Sequence, residues 1–184
     1  MGIERLAIDG GTPVCTTPLP TGNSGPSVID DEEIDAVTSV LREGRLFRYQ
    51  KGRSEAAKFE IEAAKVLGVK YALMVNSGTS ALITSLIAVG VGPGDEVIVP
   101  GYTYISTAAA VMAAGAVPVI AEIDDSLGLD PSDLERKITP HTKAVVPVHM
   151  RGVPARLDDI VDIARSHKLK IVEDACQCVG GSYK

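Results

Sequence analysis

A chain of 184 residues, 45% hydrophobic and 23% charged, is long enough for one domain with a sizeable core and has the balance of a globular protein. A net charge of −6 without a basic run argues against nucleic acid as a partner, and no apolar stretch approaches the roughly 18 residues that span a membrane. Cys15, Cys176 and Cys178 cannot all pair, and Met1-Gly-Ile-Glu-Arg5 lacks an apolar signal region, so reduced thiols in a cytoplasm are expected.

The first 28 residues, rich in Gly, Pro and Thr, read as an extended N-terminal arm. Residues 29–68 read as a helical lead-in. Asp30 and Glu33 have the spacing of a capping box, and Ile34, Val37 and Leu41 follow at helical spacing until Gly44. Residues 45–53 form a loop, and Ser54 caps a second helix with Phe59, Ala63, Val66 and Leu67 on one face, stopped by Gly68. From residue 69 a βα rhythm sets in. The expected strands are 71–75, 96–99, 117–121, 143–148 and 170–173. Between them, helices are expected over 78–89, near 105–114, from Pro131 to Ile138, and over 157–168. This alternation implies a doubly wound, mainly parallel α/β sheet flanked by helices, with ligands at the carboxyl ends of strands.

Four strand ends carry chemistry. After Val75, Asn76-Ser-Gly-Thr79 opens a helix whose free N–H groups and positive dipole end suit a phosphate, or merely receive an N-cap. After Val99 come Tyr102 and Tyr104, side chains able to stack on a planar ligand or to fill core. After Val148 come His149 and Arg151, and after Val172 come Glu173, Asp174 and Gln177, with Asp174 readable as an acid partner or as a helix cap. A phosphate cradle, an aromatic plate, a carboxylate and an amide together fit pyridoxal 5′-phosphate, whose ring nitrogen needs an acidic partner to act as an electron sink. Cys176-Gln-Cys178 has no second pair at zinc spacing, so no metal is expected and the two thiols read as buried and inert. Gly90-Val-Gly-Pro-Gly94 superficially resembles a dinucleotide fingerprint, but it follows a helix and precedes a strand, which reverses that motif's context. No G-x-S-x-G elbow supports a hydrolase.

The ordered series Gly10-Gly-Thr-Pro13, Asn76-Ser-Gly-Thr-Ser-Ala-Leu82, Gly92-Pro-Gly-Asp-Glu-Val97, Pro100-Gly-Tyr-Thr-Tyr104, Pro147-Val-His149 and Glu173-Asp-Ala-Cys-Gln177 resembles the N-terminal part of the PLP-dependent sugar and cyclitol aminotransferases of the DegT/StrS type. The resemblance spans nearly the whole chain. It implies the large domain of fold type I over residues 69–184, C-terminally incomplete and without the small domain. It also implies that Gly78 and Thr79 hold the cofactor phosphate, Tyr104 stacks on the ring, Asp174 pairs with its nitrogen and Gln177 contacts its hydroxyl. The chain departs from the pattern in two places: Met150-Arg151 where relatives often have Leu-Tyr, and Cys176 where Ala is common.

The implied reaction passes an amino group from glutamate or glutamine to a keto sugar or keto cyclitol, in amino-sugar, aminocyclitol or antibiotic biosynthesis, by a homodimer. The alternative is a sugar dehydratase or a non-catalytic, regulatory relative. The lysine that forms the Schiff base is expected beyond residue 184, so no catalytic residue is assigned here, and the 184-residue chain alone is expected to be inactive and poorly soluble. Three readings accommodate that: a truncated form of a full-length enzyme, a split enzyme whose remainder is a second polypeptide, or a cofactor-free module.

Overall fold

The computed structural model describes residues 5–17, 28–49 and 54–184. Part of the expected N-terminal arm (1–4 and 18–27) and part of the expected 45–53 loop (50–53) lie outside the described residues. The chain divides into two units, Met1–Ala57 and Lys58–Lys184.

In the first unit, a one-turn 3₁₀ helix spans Ala7–Asp9 and ends at Gly10. Helix α1 spans Asp31–Arg42, and its expected capping box forms. The Glu33 carboxylate accepts the Asp30 N–H at 2.9 Å, and Asp30 Oδ1 accepts the Glu32 N–H at 2.9 Å. Past its end, Arg45 makes ion pairs with Glu43 and Glu55. Ile34, Val37 and Leu41 lie on the expected apolar stripe of α1 and are more than half exposed. Helix α2, Glu55–Val66, crosses the division between the units. It ends as the sequence foretells, because Gly68 takes the left-handed conformation (φ +66°) that lets its N–H reach Lys65 O and the Val69 N–H reach Ala64 O.

The second unit is a four-stranded, all-parallel sheet. The elements after α2 are α3 (Gly78–Ala88), β1 (Glu96–Pro100), α4 (Ser106–Ala113), β2 (Val117–Ala121), α5 (Pro131–Lys137), β3 (Thr142–Val145), α6 (Leu157–Ser166) and β4 (Lys170–Ile171). Their order across the sheet is β2-β1-β3-β4. Strand β1 is covered on both faces, as its uninterrupted apolar sequence requires. Val97 and Val99 pack with Leu82 and Leu86 of α3 and Val111 of α4, whereas Ile98 points the other way, toward Leu134 of α5 and Ile160 of α6. That alternation is the two-residue period of a strand, here apolar on both sides.

Two strands are shorter than the sequence suggests. Pro147 has no N–H to give, so regular pairing of β3 stops at Val145. The neighbours nevertheless stay in register beyond it. Val172 N–H donates to Val145 O at 3.1 Å, Asp174 N–H to Pro147 O at 2.9 Å, and Val148 and Asp174 form an isolated parallel bridge. The paired backbone thus carries Asp174 to the carboxyl edge of the sheet.

The expected strand 71–75 does not form. Tyr71–Val75 is absent from the sheet, Tyr71 is 79% exposed and Leu73 62%, and the Met74 N–H donates to the Glu60 carboxylate at 2.6 Å. An apolar run becomes a strand only where a neighbour supplies its ladder, and none of β1–β4 lies beside it.

Asp133 gives the fold a pH signature. Its side chain is almost fully buried on α5, its Oδ2 accepts the Glu122 N–H at 2.7 Å, and its Oδ1 accepts from Arg136 at 2.9 Å. The amide of Glu122 first, and then Arg136, hold this carboxyl below its ordinary value. Its stabilisation is therefore present above the unfolded-state value near 3.9 and is lost as pH falls through the lower folded-state value. Asp133→Asn should cost about 1–3 kcal/mol in urea unfolding at pH 7, and the gap from the parent protein should narrow below about pH 4.

Candidate functional site

In a doubly wound sheet, ligands sit outside the carboxyl ends of the strands where successive connections leave in opposite directions. Here the chain leaves β1 for β2 on one side and returns to β3 on the other, so the cleft opens at the ends of β1 and β3. A cavity of about 260 Å³ lies there. It gathers Gly78 and Thr79 from the start of α3, Thr103, Tyr104 and Ser106 after β1, Val148 and Met150 after β3, and Asp174, Cys176 and Gln177 after β4. All five residues that the resemblance assigns to the cofactor, Gly78, Thr79, Tyr104, Asp174 and Gln177, line this one cavity.

Each is presented by its local structure. Ser77 is the N-cap of α3, and its Oγ takes the Ser80 N–H at 3.1 Å. The next two amides, those of Gly78 and Thr79, have no protein acceptor among the described residues, which leaves two donors and the positive helix end facing the cavity. Gly78 packs closely on the neighbouring turn, and a Cβ there would sit 2.9 Å from Cys176 Sγ, so the thiol would have to move aside. Gln177 Oε1 accepts the Arg151 N–H at 2.8 Å. A backbone N–H can only donate, so this contact fixes the amide orientation and leaves the Gln177 NH₂ free to donate to a ligand oxygen.

Asp174 is 5% exposed and holds two donors, one on each oxygen: Thr107 Oγ1 to Oδ2 at 2.9 Å and the Cys176 N–H to Oδ1 at 3.2 Å. Thr107 in turn meets Thr103 Oγ1 at 2.8 Å. Thr103 lies within the Pro100–Tyr104 motif but was given no role there, and Thr107 lies outside every motif. The available signal was a pair of hydroxyls four positions apart, Thr103 and Thr107, at the start of a mainly apolar helix.

Two expectations are overturned. Cys176 and Cys178 are not buried structural thiols: both are free, Cys176 is exposed and Cys178 partly so, because they lie in the turn beyond β4 rather than on a strand. The imidazole of His149 also does not line the cavity. Its Nδ1 accepts the Ala155 N–H at 3.1 Å, so the proton sits on Nε2, which faces Glu173 at 3.1 Å. Arg151 likewise is not among the lining residues. Its backbone is left-handed (φ +54°, ψ +26°), and it serves the cavity through the N–H that anchors Gln177. Gly90–Gly94 lies before β1, at the amino end of that strand and away from the cleft. Among the described residues no group of His, Cys, Asp or Glu is placed to hold a metal, and no helix is long and apolar enough to cross a membrane.

Partial burial first, and then the neighbouring Asp174 carboxylate, raise the Cys176 thiol above its ordinary value. A raised value means less thiolate at a given pH. Iodoacetamide at pH 8, followed by peptide mapping, should therefore label Cys176 more slowly than glutathione reacts, and Asp174→Asn should quicken it.

Comparison with known proteins identifies the family. The chain is 45% identical over 158 residues to the spore coat polysaccharide biosynthesis protein SpsC of Bacillus subtilis (strain 168), covering 85% of this chain and 40% of that protein. It is 39% identical over 185 residues to the L-glutamine:2-deoxy-scyllo-inosose aminotransferase of Streptomyces kanamyceticus, covering 98% of this chain and 42% of that protein. The chain thus spans about 40% of the length of these relatives. Among solved structures, E. coli GDP-4-keto-6-deoxy-D-mannose-3-dehydratase with bound hydrated PLP matches with a TM-score of 0.74 and 29% identity, over 85% of this chain and 41% of that one. A family model matches residues 27–184, and the chain belongs to the DegT/DnrJ/EryC1/StrS aminotransferase family.

Proposed function

We propose that the cavity binds pyridoxal 5′-phosphate and that the whole protein uses it to transfer an amino group from glutamate or glutamine to a keto sugar or keto cyclitol. The observation that carries this reading is the convergence of an anion site, an aromatic ring and a buried carboxylate with unused acceptor capacity in one cavity. The free amides of Gly78 and Thr79 hold the phosphate. Tyr104 covers the ring, Asp174 accepts from its nitrogen, and the Gln177 amide donates to its hydroxyl oxygen. Val148 and Met150 add an apolar wall that excludes water.

The cofactor, when bound, supplies an electron sink that lets a proton leave the carbon bearing the amino group. Asp174 holds the ring-nitrogen proton on which that sink depends. Among the described residues no lysine lines the cavity, so those that do bind and orient the cofactor and perform no proton transfer at the substrate carbon. Family membership and the likeness to a cyclitol aminotransferase support amino transfer. We further propose glutamine as a donor, which the name of the cyclitol aminotransferase relative supports, and, from the sequence reading, a place in antibiotic biosynthesis, a homodimer and a cytoplasmic location. The likeness to a keto-sugar dehydratase supports a second reading, in which the same pocket serves loss of water.

Incubating the whole protein with PLP, glutamate or glutamine and a panel of nucleotide-linked keto sugars and keto cyclitols separates these readings. Amino transfer yields an aminated product and consumes the donor in equal amount, whereas a dehydratase yields a deoxy sugar. A protein that acquires no cofactor spectrum removes both. Asp174→Asn should keep the fold, lose most turnover and weaken cofactor binding about ten- to a hundred-fold, the loss of one charge-assisted hydrogen bond. An Asp174→Asn protein with parental activity reduces Asp174 to a structural cap. Light scattering on the active protein should give at least a dimer.

A further inference from the structure

Resting on the reading of Asp174 as the partner of the cofactor ring nitrogen, we propose that Thr103 and Thr107 form a hydroxyl relay that positions the Asp174 carboxylate, with Thr107 as the positioning residue. Thr107 is 1% exposed, in the first turn of α4, and none of the roles assigned above uses its side chain. A threonine in a helix commonly turns its hydroxyl back to the carbonyl of the preceding turn. Thr107 instead reaches 67 residues along the chain to Asp174 Oδ2, at 2.9 Å.

Proton counting gives the relay a direction. An ionised carboxylate only accepts, so Thr107 must spend its single hydroxyl proton on Asp174. Its oxygen then has only acceptor capacity left for Thr103, 2.8 Å away, and Thr103 must be the donor. The chain of hydroxyls therefore runs inward, from Thr103 on the cavity wall, through buried Thr107, to Oδ2. The Cys176 N–H, 3.2 Å from Oδ1, completes the hold on the carboxylate. Two donors on different oxygens fix both its plane and its tilt, and each oxygen keeps a lone pair for a ligand. The same residue also ties down the aromatic wall, because the Thr107 N–H donates to Tyr104 O at 3.0 Å. One residue of α4 thus sets the carboxylate through its side chain and the Tyr104 backbone through its main chain.

The test uses the whole protein loaded with PLP labelled with ¹⁵N in the ring. Thr107→Val keeps the shape and removes the hydroxyl. It should move the ring-nitrogen resonance toward that of an unprotonated pyridine and lower kcat about ten- to a hundred-fold, with the donor KM changed by less than about threefold. Thr107→Ser should restore both readouts to within about threefold of the parent, and Thr103→Val should shift both in the same direction by less. A folded Thr107→Val protein with the parental resonance and kcat overturns the proposal. So does a Thr107→Ser protein no better than the valine variant, which would show that packing is what matters. If Thr107→Val does not fold, Thr103→Val decides: unchanged resonance and kcat overturn the relay, and a shift in both sustains it. Failure of the underlying reading looks different. In that case the parent shows no protonated ring nitrogen and Asp174→Asn changes nothing, whereas failure of the relay alone leaves a protonated parent signal that Asp174→Asn abolishes and both threonine variants preserve.

Discussion

Burial of β1 on both faces is the constraint on which the cleft depends. Val97 and Val99 face one layer of helices and Ile98 the other, and all three are fully excluded from water. The order β2-β1-β3-β4 also gives β1 a paired neighbour on each edge, while helices cover both its faces. The cost of the arrangement is a gap where the connections diverge, since no backbone crosses the carboxyl ends of β1 and β3. The cavity is that gap. Its walls come from the segments that follow β1, β3 and β4 and from the start of α3.

Polar groups at this edge are satisfied unevenly, and the unevenness has chemical content. Ser77 caps the Ser80 amide but leaves those of Gly78 and Thr79 bare. Asp174 is buried yet keeps acceptor capacity on both oxygens. Gln177 has its oxygen engaged and its NH₂ free. Gly78, Thr79 and Gln177 are exposed, so water satisfies their free donors until a ligand takes its place. His149 is the contrast: both of its ring nitrogens are occupied by protein, and it stays out of the cavity.

Much of this was legible in the sequence, for identifiable reasons. Helix boundaries carried their own punctuation. The capping box at Asp30 and Glu33, the Ser77 cap, Pro131 at the first position of α5 and the Gly68 stop are local devices whose geometry is fixed within five residues. The five residues assigned to the cofactor were legible through the resemblance carried by the ordered motifs, and the structure gathers them at one cavity. What failed depends on partners distant in sequence. Tyr71–Val75 has the composition of a strand, but pairing is decided by a neighbour, and the four-strand order provides none. Cys176 and Cys178 read as core from their type alone, whereas their burial depended on where β4 stops. Thr107 was hidden because its partner lies 67 residues away, a link that no window along the chain contains.

The left-handed backbone at Arg151 separates two demands that usually fall on the same residue. The cavity needs the N–H at this position, which orients Gln177, and the turn needs a positive φ, but among the described residues nothing is bonded to the guanidinium itself. Selection can therefore act on the side chain without touching the anchor. Asn, Asp and Gly enter such a conformation cheaply, and long unbranched chains do so at modest cost, whereas Val, Ile and Thr are penalised and Pro removes the N–H altogether. Position 151 is thus a place where a lineage can drift in charge and length at the border of the pocket, bounded only by what the backbone tolerates.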